Sequence, residues 1–214
     1  MLEEKDDYGG DMHLKKISIL FAVLFFVVLS SIVCADSGVT VKKDGQPFPS
    51  FGSGKILVRL YTDYFCSPCR AMEPKIEPVL TELVKKNIIN LTFVDTPIHK
   101  SSSLYARYFL YILNEKNEFE FALLARSVLI GASLEKISDT TKLEAYLKGK
   151  GIRFKAFDIK PIIDIFNGYF NNDKINSTPI CVISQGGKIE RYSGGPEILS
   201  ALERLEQKTP KKPQ

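Results

Sequence analysis

The pattern of apolar and polar residues first separates strand-like from helix-like segments. Lys55 to Thr62 and Asn90 to Asp95 are rich in β-branched and apolar residues, which predicts two mostly buried strands. Ile180 to Ser184 has the same character. It is followed by a Gly186-Gly187 turn and by Lys188 to Tyr192, which predicts a β-hairpin.

Helical spacing begins at Cys66, where apolar residues recur every three or four positions. Pro74 lies within this helix and is expected to bend it rather than end it. Between residues 100 and 173 the pattern predicts four further amphipathic helices and no strong strand. Gly194 to Pro196 opens a last helix that runs to about Gln207, because proline suits the first turn of a helix.

Ahead of these elements, Val39 to Lys43 predicts a short strand, and Gln46 to Gly54, with its prolines and glycines, predicts a loop. The element order is then β, β, α, β, a helical block, β, β and α. The helical block is too long to be a loop and has its own periodicity, so we expect an inserted helical subdomain. The predicted divisions are a signal segment at 1–35, a first part at 36–99, the insertion at 100–173, a second part at 174–207 and a disordered tail at 208–214.

The first 35 residues have the pattern of an export signal. Lys15 and Lys16 precede an apolar run from Ile17 to Val33, and Ala35 then comes directly before polar residues. This order is typical of a secretory signal peptide that is cleaved after the small residue. An uncleaved membrane anchor, or a lipoprotein attached through Cys34, are the alternatives. All three predict a domain outside the cytoplasm, in the periplasm or another extracytoplasmic space.

The amino-acid composition argues against some classes of function. The chain has 214 residues, of which 44% are hydrophobic and 25% charged, as expected for a folded soluble domain. Its net charge of +4 is small and its lysines are dispersed, so nucleic acid is not expected as a partner. Of four cysteines, Cys34 would leave with the signal, and the odd number that remains excludes a fully paired structural set.

The motif Cys66-Ser67-Pro68-Cys69 lies where a predicted strand ends and a helix begins. There, unpaired backbone N–H groups and the helix dipole favour the thiolate form of Cys66, which is the form that attacks disulfides. Cys69, one turn further, is expected to be more buried and to act as the resolving thiol. Pro68 fits the first turn because its missing N–H costs little there. We therefore predict a redox-active cysteine pair that needs no metal or organic cofactor.

Two other interpretations of the pair remain open at this point. The pair could be half of a zinc site, for which Cys181 and His99 are the remaining candidate ligands, or it could be a purely structural disulfide. Cys181 alternates with Ile180 and Val182 in a predicted strand, so we expect it to be a small buried hydrophobe. An exposed redox or dimer-linking role is the alternative for Cys181.

Thr178-Pro179, directly before the predicted hairpin, completes a recognisable set of motifs. Together with the Cys66–Cys69 pair and Pro74, it resembles the thioredoxin superfamily. The helical insertion, and the segment Asp95 to His99 that leads into it, are similar to the DsbA-like thiol:disulfide interchange branch. Over about Gly54 to Leu205, the resemblance implies an α/β protein of thioredoxin fold, with a central mixed β-sheet flanked by helices and an inserted helical subdomain.

The resemblance also implies roles for Thr178 and Pro179. It implies a cis Thr178–Pro179 bond against the cysteine pair, with the Thr178 backbone binding an extended substrate segment by β-augmentation. The alternative is that Pro179 merely begins an edge strand. The implied function is an exported thiol–disulfide oxidoreductase that acts on cysteine-containing exported proteins and is recycled by a membrane or soluble redox partner. The other functions kept open are an export-side disulfide reductase or isomerase, and a non-catalytic thioredoxin-fold module for binding or metal delivery.

Two positions depart from the family pattern. Members often carry a buried acidic residue six places before the first cysteine, where this chain has Leu60. Ser67-Pro68 stands where strongly oxidising members have Pro-His. A histidine would stabilise the thiolate by its charge, which Ser67 cannot do, so a less oxidising enzyme is expected.

Overall fold

The computed structural model describes residues 48–207. A five-stranded sheet forms the centre, with strand order β1-β3-β2-β4-β5. β2 and β3 are parallel and every other pair of neighbours is antiparallel, so the sheet is mixed as predicted. The strands are β1 Ser50–Phe51, β2 Ile56–Thr62, β3 Ile89–Asp95, β4 Ile180–Gln185 and β5 Lys188–Ser193.

Six helices accompany the sheet within the described residues. Four of them lie between β3 and β4, where four amphipathic helices were predicted. The first helix is continuous although Pro74 and Pro78 lie inside it. The helices are α1 Ser67–Lys85, α2 Ser102–Glu115, α3 Phe119–Leu134, α4 Thr140–Gly149, α5 Lys160–Asn172 and α6 Gly195–Gln207. Among residues 48–207, none of the helices is both long and apolar enough to cross a membrane.

Side chains alternate along the central strands between two cores, as the period of a β-strand requires. The larger core joins one face of the sheet to α1, α2, α3, α4 and α6, and the smaller core joins the other face mainly to α5. The sheet contributes to the larger core Val58, Leu60, Leu91, Phe93, Cys181 and Ile183. It contributes to the smaller core Tyr61, Val94, Ile180 and Val182.

One element differs from the sequence prediction. β1 lies inside Gln46 to Gly54, which was predicted to be loop, and it pairs with β3 through Ser50 opposite Thr92. Phe51 is buried between the rings of Phe93 and Phe119, at centroid distances of 5.9 and 5.5 Å. A two-residue strand that is fixed by contacts with residues distant in the sequence leaves no pattern of its own in the local sequence. The strand predicted at Val39 to Lys43, the signal segment at 1–35 and the tail at 208–214 lie outside the described residues.

Candidate active site

Cys66 occupies the N-cap of α1, directly after the turn that follows β2. Its backbone is extended, its N–H donates to the carbonyl of Asp63 at 3.1 Å, and its own carbonyl accepts from Arg70 at 3.1 Å. Pro68 lies in the first turn and, like Ser67, is exposed. The predicted strand–cysteine–helix junction is therefore present, and it directs the positive end of the α1 dipole at Cys66.

The two thiols of the motif have different environments. Cys66 is 7% exposed and Cys69 is fully buried, which confirms the predicted order of burial. Burial raises the pKa of Cys69, and its hydrogen bond with Cys66 adds to this, while hydrogen bonds from the Thr178 side chain and the Asp63 backbone act in the opposite direction. Cys69 is thus held as a protonated thiol behind Cys66, which suits a resolving role better than an attacking one.

Thr178-Pro179 lies against this pair and its peptide bond is cis, as the resemblance implied. The Cys66 thiol donates to the Thr178 carbonyl at 3.5 Å. Pro179 is buried, and the strand that follows it, β4, pairs with both β2 and β5. The alternative that Pro179 begins an edge strand is therefore wrong.

The sequence prediction missed a buried carboxylate beside the motif. Asp63 accepts hydrogen bonds from the backbone N–H groups of Phe65 (2.7 Å), Ile98 (2.9 Å) and His99 (3.2 Å), and from the Ser102 hydroxyl (2.7 Å). Burial acts to raise the pKa of Asp63, but these donors outweigh it and hold the pKa below its ordinary value. Asp63 thereby ties the turn before Cys66 to the segment that follows β3.

His99 is a partner of this carboxylate rather than of a cysteine. Its Nδ1 lies 3.2 Å from an oxygen of Asp63, and its side chain is half exposed. Cys181, the other candidate zinc ligand, is fully buried in the larger core opposite Leu60. Within residues 48–207, no three His, Cys, Asp or Glu side chains are grouped so that they could hold a metal ion.

A second buried charge cluster lies beneath the start of α1. Arg126 of α3 is 1% exposed and contacts both oxygens of Glu73 at 3.0 and 2.8 Å and one oxygen of Asp95 at 2.8 Å. It also donates to Thr62 at 2.6 Å and to the Tyr64 hydroxyl at 3.2 Å. Burial raises the pKa of Asp95, and the charge of Arg126 opposes this. The signal in the sequence was a single arginine in the middle of the mostly apolar α3, whose one other charged residue, Glu120, lies in its first turn.

Leu60 has no polar role in this arrangement. It is 1% exposed and packs in the larger core, so the carboxylate that family members often place there is replaced by hydrocarbon. The buried carboxylates at this end of the described fold are instead Asp63 and Asp95. Cys181 is a buried small hydrophobe, as expected, and burial raises its pKa to about 12.

Comparison with known proteins agrees with the fold. A family model described as thioredoxin matches residues 53–202. A periplasmic thioredoxin-like protein from Salmonella enterica serovar Typhimurium is similar in structure, with a TM-score of 0.56 and 20% identity over 78% of this chain and 91% of that protein. Alpha-DsbA1 from Wolbachia pipientis has a TM-score of 0.56 and 19% identity over 75% of this chain and 89% of that one.

The catalytic domain of Proteus mirabilis ScsC gives the same result, with a TM-score of 0.56 and 19% identity over 78% of this chain and 90% of that domain. No curated protein matches the chain significantly in sequence. The predicted fold, a mixed sheet with a helical insertion before the proline, is confirmed by the family match and by these structures.

Proposed function

This chain belongs to the thioredoxin family, and we propose that it is a DsbA-like protein thiol–disulfide oxidoreductase that works through Cys66 and Cys69. The observation that carries the proposal is the position of Cys66. Its thiol lies at the N-terminus of α1, 3.5 Å from the Thr178 carbonyl, with the buried Cys69 one turn behind it. A thiol that just reaches the surface and a fully buried partner in one helical turn are the two groups that disulfide exchange requires.

In the oxidising direction, the reaction proceeds in two exchanges. A substrate thiolate attacks Cys66 of the Cys66–Cys69 disulfide, the bond between the two cysteines breaks, and Cys69 leaves and takes up a proton. A second substrate thiolate then attacks the substrate sulfur of the mixed disulfide, and Cys66 leaves as a thiolate. The two substrate thiols lose two electrons and two protons; the electrons reduce the Cys66–Cys69 bond, one proton goes to Cys69, and the other goes to solvent or to the Cys66 thiolate.

Thr178 and Pro179 shape the place where the substrate lies. The Thr178 carbonyl already accepts a hydrogen bond from Cys66, and Thr178 is partly exposed whereas Pro179 is buried. An extended substrate segment that pairs with the Thr178 backbone would hold its cysteine next to Cys66. Because backbone pairing does not depend on side chains, this arrangement suits many substrates.

Location and partners complete the proposal. The signal pattern of residues 1–35 favours export, with a site of action in the periplasm or another extracytoplasmic space. The substrates there are exported proteins that carry cysteines. A redox partner in the membrane or in solution, itself carrying a disulfide, accepts the two electrons and restores the Cys66–Cys69 bond.

The pair is expected to be a weaker oxidant than the strongest periplasmic enzymes. Ser67 is exposed and accepts a hydrogen bond from Arg70, so it supplies no charge of its own to the Cys66 thiolate, and Leu60 supplies no buried carboxylate. We expect a reduction potential more negative than about −120 mV, the value of the strongest oxidant. Equilibration with glutathione at known ratios measures it, and a potential near that value would contradict the expectation.

The function is tested with a reduced, unfolded protein that needs disulfides to regain activity. The oxidised chain should restore its activity, and Cys66→Ser should abolish this, whereas Cys181→Ala should retain it. Cys69→Ala should accumulate mixed disulfides with substrates through Cys66, and mass spectrometry would identify them. If Cys66→Ser acts like the unmodified chain both here and in insulin reduction, the enzymatic function is wrong.

A further inference from the structure

A groove opens beside the cysteine pair, on the side of the helical insertion. It lies between the start of α1, the segment after β3 and the end of α3. Its floor and walls are formed by Phe65, Arg70, His99, Lys100, Ser101, Ser133, Leu134, Lys136 and Ser138. Because Phe65 directly precedes Cys66, a polypeptide whose cysteine reacts with Cys66 can continue into this groove.

The groove is lined by positive charge. Arg70, Lys100 and Lys136 contribute three cationic groups, and none of the described residues that line the groove carries a carboxylate. Neither lysine forms an ion pair with a residue in the described range 48–207. Arg70 is held at the mouth by hydrogen bonds to the Tyr64 carbonyl (3.2 Å) and the Ser67 hydroxyl (3.1 Å).

The carboxylates near the groove are engaged elsewhere. Glu135 precedes Lys136 in the chain, but its carboxylate lies near Tyr146, where it adds to burial in raising the pKa of that phenol. Asp63 is buried below His99, where backbone and hydroxyl donors already surround it. The positive groups of the groove therefore face solvent without a neutralising partner, and an anionic group from another molecule would complement them.

The backbone at Lys136 allows the role of its side chain to be tested by a substitution that suits the fold. Lys136 follows the C-cap of α3 with φ +56°, and its N–H donates to the Ser133 carbonyl at 3.0 Å. Glycine is the usual residue at such a helix end, because a side chain there strains the backbone. A lysine at this position keeps a charge at the groove where glycine would suit the fold better.

The groove also has an apolar surface. Leu134, the last residue of α3, lines the groove and is 62% exposed, and Ile98, which precedes the lining residue His99 in the chain, is 52% exposed. Large apolar side chains with this exposure next to positive charges fit a segment that contains both acidic and apolar residues.

We propose that this groove binds an acidic segment of the substrate polypeptide, next to its reacting cysteine, with an apolar substrate side chain against Leu134. The inference rests on the proposed function and adds a substrate class to it. Exported proteins whose cysteines are flanked by Asp or Glu would react faster than those flanked by Lys or Arg.

The experiment compares single-cysteine peptides that are identical except for paired Glu, Gln or Lys residues beside a leucine near the cysteine. The oxidised full-length protein is mixed with each reduced peptide in excess. Two peptide thiols reduce one protein disulfide and become one peptide disulfide. Each rate constant is divided by that of the same peptide with oxidised glutathione, which removes differences in the peptide thiol itself.

We expect the Glu peptide to react about ten times faster than the Lys peptide at low ionic strength, and salt to reduce this ratio. Lys136→Gly should lower the ratio several-fold. Since glycine relieves the backbone at this position, the loss cannot be assigned to misfolding. Lys174→Gly is the matched control, because Lys174 also has a positive φ of +52° but lies outside the groove, and it should keep the wild-type ratio.

The outcomes separate the inference from the function on which it rests. Equal rates for the three peptides, or the same Glu-to-Lys ratio in Lys136→Gly as in the wild type, would overturn the inference while leaving the oxidoreductase intact. If the oxidised protein reacts with no peptide and not with dithiothreitol either, the proposed function itself fails.

Discussion

The Cys66–Cys69 pair lies beyond the end of β2, whereas Cys181 lies in the middle of the neighbouring strand β4. Charged side chains are buried near the ends of β2 and β3, namely Asp63, Asp95 and Arg126. Around Cys181, in the middle of the sheet, the buried side chains are apolar. Both regions contain a fully buried thiol whose pKa is raised by burial. Their surroundings nevertheless differ, because of these two thiols only Cys69 has a second thiol and a helix N-terminus beside it.

Burial alone does not distinguish the two cysteines. Cys181 behaves as a small apolar side chain between strands. Cys69 is equally buried, but Cys66 connects it to the surface and lies at the Thr178 carbonyl. The polar groups beneath α1 are buried and contact other protein groups. Asp63 and Arg126 instead fix the turn and the helix on which Cys66 depends, so we regard them as positioning residues.

The largest expected difference between the two regions is in thiol reactivity. In the reduced native protein, iodoacetamide should modify Cys66 at least about 10³ times faster than Cys181, because reaching Cys181 requires opening of the sheet. Peptide mass spectrometry after timed quenching measures both rates. The difference should disappear in concentrated urea. Similar modification rates without urea would mean that Cys181 is accessible and that the two regions do not differ in thiol reactivity.

The next largest effect concerns the buried charges at the end of the sheet. Arg126→Met leaves Glu73 and Asp95 without their cation, and we expect it to lower the free energy of unfolding by about 3–5 kcal/mol. Urea unfolding followed by circular dichroism measures this. Combining the change with Glu73→Gln and Asp95→Asn should recover part of the loss. A single variant within about 1 kcal/mol of the wild type would show that the cluster contributes little.

Substitutions of Cys181 and Cys66 should have opposite effects on stability and on disulfide exchange, and the expected changes in stability are smaller than those above. Cys181→Ala removes a buried sulfur from the core and should cost about 1–2 kcal/mol of stability while disulfide exchange is retained. Cys66→Ala should do the reverse, with exchange abolished and stability changed by less than about 0.5 kcal/mol. Unfolding curves and exchange assays on the two variants test this, and loss of exchange in Cys181→Ala would contradict it.

The smallest effect is a pH dependence from Asp63. Its folded pKa lies below the unfolded value of about 3.9, so its contribution to stability is present above that pH and is lost as the pH falls through the folded pKa. The unfolding free energy of the wild type should therefore fall more steeply below about pH 4 than that of Asp63→Asn.

Unfolding midpoints measured at pH 5 and at successively lower pH give the two slopes. The folded pKa of Asp95 is raised, so its effect on the pH dependence of stability is opposite to that of Asp63. Because Asp95 is present in both proteins, the difference between the two slopes reports on Asp63 alone. Parallel slopes would mean that the hydrogen bonds to Asp63 do not favour its ionised form.

Much of the fold could be predicted from the sequence because most of its helices and strands show a local pattern of apolar residues. The strand before Cys66, the helix after it, the hairpin and the four helices of the insertion each show their own periodicity. The β1 strand was missed because its two residues are held by β3, about 40 positions away. The cis Thr178–Pro179 bond followed only from the family resemblance, since an X–Pro dipeptide by itself favours trans.

The sequence by itself determined the cysteine pair, its place at a strand–helix junction and the apolar character of Cys181. Only the tertiary structure decided which charges are buried beneath the pair and which remain exposed in the groove beside it. Arg126 contacts Glu73 and Asp95 across three elements, and Lys136, Arg70 and Lys100 come from three different segments to line one groove. The physical reason is that periodicity records which face of an element is apolar, whereas the partner of a charged side chain is set by how distant elements pack together.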